Sequence, residues 1–241
     1  MTLHPLGERT ERGFALVAVL LVLALLGIIG AEFAYSMRLE ASAVRAWKDG
    51  ILATHLAEAA VEQAVREIVG EGVHVAPGED GELTFYGRDG RMLPRLPRRR
   101  VPLGPGQFSY RLSDEEGRLN LNAAPPDRVD RLLQALDLTK VERDAVVDSL
   151  MDWRDANEEH RLNGAESDDH YLRLPVPYRA RNANLESVYE LLQVKGVTPA
   201  LFHGREGVPG LVDLVTVKTP GQVNLNTAPA AVLAAYGLAD A

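Results

Sequence analysis

FALVAVLLVLALLGIIGA, residues 14–31, runs eighteen residues without a charge, and as a helix it spans about 27 Å, close to the hydrocarbon depth of a bilayer. Just ahead of it stand Glu8, Arg9, Glu11 and Arg12. The two arginines fall on the side that the positive-inside rule assigns to the cytoplasm, so the rest of the chain is expected to be exported. The apolar pattern does not stop at Glu32. Phe33, Tyr35 and Met37 follow, then amphipathic spacing through Val44, Trp47, Ile51, Leu56, Val61, Val65 and Ile68. No proline interrupts residues 14–69, so one rod of about 80 Å is predicted, with Gly27, Gly30 and Gly50 as points where it can bend. A secretory signal has a shorter apolar region, of about 7–15 residues, and no need of such a continuation.

Of the 241 residues, roughly 170 to 200 remain outside the membrane segment, enough for one or two cored domains. There is no cysteine, which excludes disulfides and thiolate metal sites. The net charge of −8 argues against a general attraction to nucleic-acid phosphates or anionic lipid and for cationic partners, metal ions included. One stretch runs against that balance. Arg88, Arg91, Arg95, Arg98, Arg99 and Arg100 alternate with Pro94, Pro97, Pro102 and Pro105, and the prolines forbid a regular helix, so a solvated loop or a contact for an acidic partner is expected.

Further on, GRLNLNAAP at 117–125 recurs as GQVNLNTAP at 221–229, six identities in nine positions. In an extended segment Leu119 and Leu121, or Val223 and Leu225, share one face and the asparagines the other. Alanine-proline then opens a helix. Between the copies Val129, Leu132, Leu133 and Leu136 form a helical stripe. Thr139 with Glu142 makes a capping box ahead of Val146, Leu150 and Trp153. A third helix is read from 184 to 196, and strands at 108–112 and 211–217.

Gly13-Phe14 behind a charged leader, followed by an apolar helix with a long amphipathic extension, resembles the type IV prepilins and pseudopilins. That resemblance implies cleavage between Gly13 and Phe14 by a prepilin peptidase and N-methylation of Phe14. The family expects glutamate at the fifth mature residue, where this chain has Ala18. A carboxylate among apolar helices is tolerated when it pairs with a neighbour's terminal ammonium, and a tip subunit has no neighbour above it. The missing glutamate, with LNLN at 119–122, DWRD at 152–155, GAE at 164–166, Pro177-Tyr178, Arg181-Asn182 and VNLNTA at 223–228, is similar to the K-type minor pseudopilin of the type II secretion (general secretion) pathway.

The resemblance implies an α+β fold: a long transmembrane and amphipathic helix packed on a small antiparallel sheet, with a helical SAM-like subdomain inserted between strands. The expected division is a leader at 1–13, a transmembrane helix at 14–35 and its amphipathic extension at 36–69. A Gly/Pro/Arg-rich connector follows at 70–105, then pseudopilin strands at 106–122 and 208–226, the inserted subdomain at 123–207, and a shortened second helical segment at 227–241. The implied role is initiation and capping of a pseudopilus for export of folded proteins. The implied partners are I-type and J-type minor pseudopilins, the prepilin peptidase and the inner-membrane assembly platform, with a single-pass inner-membrane anchor and a periplasmic carboxy-terminal domain.

The densest acidic segment runs from Asp152 to Asp169 and is rich in turn residues. Its oxygen donors suit Ca²⁺, though without EF-hand spacing, and a plain solvated acidic loop fits the same residues. The K-type resemblance implies calcium in this insertion, with Asp155, Glu159, Glu166, Asp168 and Asp169 as the candidate ligands. His160 and His170 admit zinc only without HExxH spacing. A rival function is an exported helix-hairpin-helix-like nucleic-acid binder, since 192–198 reads LQVKGVT, but Thr198 replaces the second glycine of such a turn. No Gly-x-Ser-x-Gly, P-loop or dinucleotide fingerprint occurs, and no catalytic role is expected.

Overall fold

A computed structural model describes residues 9–70, 72–78 and 82–238. Most of the leader, residues 1–8, and the end of the second helical segment, 239–241, lie outside the described residues. The chain divides into two units, Met1–Val65 with Pro97–Tyr110, and Arg66–Leu96 with Arg111–Ala241.

The first unit is dominated by α1, Arg9–Ile68, a single helix of 60 residues whose last residues belong to the second unit. Its apolar span, residues 14–31, is exposed along its whole length, and none of the described residues covers it. Near its far end α1 meets an antiparallel hairpin of β3, Val101–Leu103, and β4, Gly106–Phe108. The hairpin packs closely here: a Cβ at Gly106 would push against a methyl of Leu56 and force it to shift. Gln63 Nε2 donates to Pro97 O at 2.6 Å, and Tyr110 N to Arg98 O at 3.0 Å, which ties the hairpin down.

The second unit opens with β1, His74–Pro77, antiparallel to β2, Leu83–Tyr86. Then β5, Leu119–Asn120, pairs with β8, Val215–Thr216, in parallel. A parallel pair needs a long crossover, and here the crossover holds the helices: α2, Pro126–Gln134; α3, Lys140–Arg154; and α4, Pro199–His203. A two-residue hairpin, β6 Gly204–Arg205 with β7 Val208–Pro209, and α5, Leu211–Leu214, lead back to the sheet, and α6, Ala230–Ala235, closes the described fold.

One core joins these pieces. The stripe Val129, Leu132, Leu133 and Leu136 is buried against Val146, Leu150 and Trp153 of α3, Phe202 of α4, and Val232 of α6. The capping box forms as the sequence predicts: Thr139 N donates to Glu142 Oε2 at 2.9 Å, and Glu142 N to Thr139 Oγ1 at 3.4 Å.

Several elements differ from the sequence expectation. Residues 70–105, read as a connector with a solvated arginine loop, contain β1, β2 and β3, and Arg98 is buried. The strand read at 108–112 stops at Phe108. Leu211–Leu214 is a helical turn and not a strand, because Leu211 and Leu214, three apart, are both buried. The helix read at 184–196 is reduced to a 3-10 turn at Val188–Gln193. Asn122 holds Leu185 extended ahead of it, accepting from Leu185 N at 2.9 Å and donating to Leu185 O at 2.9 Å.

Candidate functional site

The two copies of the repeat, LNLN at 119–122 and VNLN at 223–226, form a clasp at the root of the helical insertion. In each, the first asparagine turns the chain: Asn120 Oδ1 accepts from Asn122 N at 2.8 Å and Ala123 N at 3.1 Å, and Asn224 Oδ1 from Asn226 N at 3.1 Å. In each, proline then caps a helix, Pro125 for α2 and Pro229 for α6. The copies also bind each other's flanks. Asn224 N donates to Glu116 O at 2.8 Å, and Asp114 Oδ2 accepts from Asn224 Nδ2 at 2.8 Å and Thr227 Oγ1 at 2.6 Å. Asn120 Nδ2 reaches Thr219 O. The repeat is therefore a turn motif, and its second copy contains no strand: Leu225 is 56% exposed. The half-buried Arg154 guanidinium holds the first copy, donating to Leu121 O and, at 2.8 Å, to Ala124 O.

The acidic segment begins where α3 ends at Arg154, and Asp152 organises it. Its fully buried carboxylate accepts from Arg161 N at 3.0 Å and Ala165 N at 3.0 Å. Burial pushes its pKa above the ordinary aspartate value even so. Gly164 must be glycine, since a Cβ would overlap Asp152 Oδ2. Lys195 Nζ donates to Asn163 O at 3.1 Å and Gly164 O at 2.8 Å, and Asp148 Oδ2 accepts from Asn163 N at 3.1 Å.

This scaffold presents Glu166. The residue is 1% exposed, and neither of its carboxylate oxygens has a hydrogen-bond partner. Burial first, then the charges of Asp152, Glu158, Asp155 and Asp169, lift its pKa from 4.5 to about 7. A buried carboxylate without a donor is costly unless a cation meets it. Another orphaned oxygen belongs to Asn182, whose Oδ1 is buried without a partner. Its Nδ2 donates to Asn157 O at 3.0 Å and Glu158 Oε1 at 3.1 Å, and its backbone sits in the left-handed region, φ 49°.

Of the five candidate ligands, Asp155 and Asp169 act on Glu166 electrostatically, and Asp169 Oδ1 also accepts from Glu166 N at 2.8 Å. Glu159 and Asp168 are exposed. Sequence reasoning placed Asp152 and Glu158 in the acidic segment but not among the ligands, and took Asn182 only as part of a family marker. The signal for Asn182 was its amide oxygen, a hard donor like a carboxylate. Among the described residues, no three His, Cys, Asp or Glu side chains already form a closed ligand set. The unpartnered oxygens of Glu166 and Asn182 are donors of the type a hard cation takes. His160 lies 3.6 Å from Asp169 Oδ2, and His170 packs edge-on against Tyr171.

At the KGVT turn Gly196 has φ 88°, and Thr198 Oγ1 caps α4 by accepting from Leu201 N at 3.1 Å. Gly13 and Phe14 both lie within α1, and Ala18 is exposed on it. The helix is long and apolar enough to cross a membrane.

Residues 111–204, which include the clasp's first copy and the whole acidic segment, match the family model for type II secretion system (T2SS) protein K. Type II secretion system protein K of Pseudomonas aeruginosa is 30% identical over 250 aligned positions, covering 95% of this chain and 68% of that protein. The protein of the same name from Pectobacterium carotovorum is 29% identical over 211 positions, and the chain spans only 60% of its length. The fold is similar to a chain in the crystal structure of the GspK-GspI-GspJ complex from enterotoxigenic Escherichia coli. There the TM-score is 0.60 at 21% identity, covering 81% of this chain and 68% of that one. With that degree of identity to the Pseudomonas protein over 95% of this chain and 68% of that protein, the chain belongs to the type II secretion system protein K family.

Proposed function

We propose that the chain is a minor pseudopilin that initiates and caps a short periplasmic pseudopilus, through which folded proteins are driven across the outer membrane. The observation that carries this reading is the uncovered apolar face of α1 with Ala18 upon it. Such a face is stored in lipid and then exchanged into a bundle of like helices, where van der Waals packing replaces lipid contacts. At position 18 the chain brings no carboxylate, so it has nothing to pair with a terminal ammonium above it. A subunit of this kind starts a filament and does not continue it. The helical insertion adds bulk that blocks further addition.

In this role the prepilin peptidase cuts between Gly13 and Phe14, Phe14 is N-methylated, and the inner-membrane assembly platform extracts the helix. The anchor crosses the inner membrane once, with Arg9 and Arg12 on the cytoplasmic side and the second unit in the periplasm. The I-type and J-type minor pseudopilins are its neighbours, a reading supported by the complex in which the similar fold was solved. It acts by assembly and not by catalysis.

Calcium belongs to the same proposal. Glu166 and Asn182 supply the orphaned oxygens, Asp155 and Asp169 the adjacent carboxylates, and Glu159 and Asp168 stand at the exposed margin. A bound Ca²⁺ would neutralise these charges and fix the loop. Substituting Ala18→Glu tests the capping reading. The variant is expected to enter filament shafts, or to lose exclusive tip placement, in immunogold micrographs of overproduced pseudopili. Unchanged tip placement and filament length would show that the missing charge is not what matters.

A further inference from the structure

The arginines of residues 88–95 serve none of the roles above. Two hollows of about 760 and 380 Å³ open side by side in the second unit and share Gly70 and Leu93. Their floor is β2 with residues 91–93 zipped along it: Tyr86 bridges Met92, Leu93 N donates to Phe85 O at 2.8 Å, and Gly87 N to Arg91 O at 2.9 Å. Phe85, Leu93 and Leu96 line this floor, while Val73 and Met92 stand 59% and 62% exposed. Among the described residues that line it are four arginines, Arg66, Arg88, Arg91 and Arg95, against two carboxylates, Glu67 and Asp89. That is a positive excess on a chain of net charge −8.

We propose that this groove docks an acidic segment of a partner protein, one apolar side chain seated between Val73 and Met92 and flanking carboxylates meeting Arg88 and Arg91. Charge complementarity selects the occupant. The Arg91 side chain is 86% exposed and its guanidinium meets Asp89 Oδ2 at 3.6 Å, so its fork stays open to a second carboxylate. Exposed apolar side chains within an arginine rim suit a peptide that brings both a hydrophobic anchor and negative charge. A lipid headgroup is a poor candidate. From the end of the uncharged run at Ala31 to Arg66, α1 continues for about 50 Å, several Debye lengths at physiological salt.

The test places the photoreactive residue p-benzoylphenylalanine at Met92 of the full chain, in membranes of a secreting bacterium. The expected result is a protein adduct whose cross-linked peptide, mapped by mass spectrometry, carries Asp or Glu beside an apolar residue. Its yield should fall about tenfold in the Arg88→Glu/Arg91→Glu variant, as loss of two charge-assisted contacts implies. It should persist in Arg88→Lys/Arg91→Lys. Gly70→Phe should block it by filling the hollow, since a Cβ there meets only backbone oxygens of Glu67 and Arg66, at 3.5 and 3.8 Å. Unchanged Trp153 fluorescence marks a folded variant. A neutral or basic cross-linked peptide, a lipid adduct, no adduct, or an adduct indifferent to charge reversal would each overturn the proposal.

Discussion

Glu166→Gln isolates the charge around which the acidic segment is built. In the metal-free protein the Glu166 carboxyl titrates near 7, against 4.5 for an ordinary glutamate. Below pH 4.5 it is protonated in both the folded and unfolded states, and it contributes no pH dependence. Between 4.5 and 7 the folded state holds a proton that the unfolded state has released, so stability falls as pH rises through this window. Above 7 both states are ionised and the full penalty applies, about 3 kcal/mol for a displacement of this size. Asp152, also raised by burial, tilts stability the same way. His170, lowered by burial, tilts it the other way just under pH 6.5. Both are present in wild type and variant, and the difference between the two proteins reports Glu166.

The assay is urea unfolding of the full chain in detergent with EDTA, followed by Trp153 fluorescence in a Trp47→Phe background. Trp153 is buried edge-on against Tyr171 with ring centroids 5.2 Å apart, beside the acidic segment. The advantage of the glutamine variant should grow by about 3 kcal/mol from pH 4.5 to 7.5. Saturating calcium should remove the Glu166 part of the pH dependence from the wild type, while calorimetry shows the variant's affinity weakened at least tenfold, about 1.4 kcal/mol. A difference that stays flat across the window would refute the buried, unpartnered carboxylate. A variant that binds calcium as tightly as the wild type would remove Glu166 from the ligand set.

Two substitutions probe the scaffold in the same fluorescence assay. Gly164→Ala drives a methyl into Asp152 Oδ2 and should cost about 3 kcal/mol or more, with Trp153 partly exposed; a loss under 1 kcal/mol would contradict the close approach. Arg154→Met removes the donors to Leu121 O and Ala124 O and should cost about 2–4 kcal/mol, against a near-neutral outcome if the clasp stands without them.

Elements set by local periodicity were legible in the sequence: α1, the stripe on α2, and the Thr139 and Glu142 box that starts α3. So was the repeat, though not its form. Whether LNLN makes a strand or an Asx turn depends on Asp114 and Thr219, partners that no window of nine residues contains. Leu211–Leu214 was misread because a short apolar run fits strand and helix alike, and the contacts of Leu211 and Leu214 decide between them. The strands within 70–105, β1, β2 and β3, are three or four residues long, too short to show alternation against the surrounding prolines. At the acidic segment, composition pointed to carboxylates. The orphaned state of Glu166 arises from long-range closure, by Lys195 over Gly164 and by Asn182 over Glu158.

The central claim is that α1 is a processed polymerisation element and not a discarded export signal. Mass spectrometry of the amino terminus of the membrane-extracted protein tests it most directly. The account predicts a chain beginning at N-methylated Phe14, with the apolar run retained. A chain beginning near Glu32, with residues 14–31 removed, would contradict it.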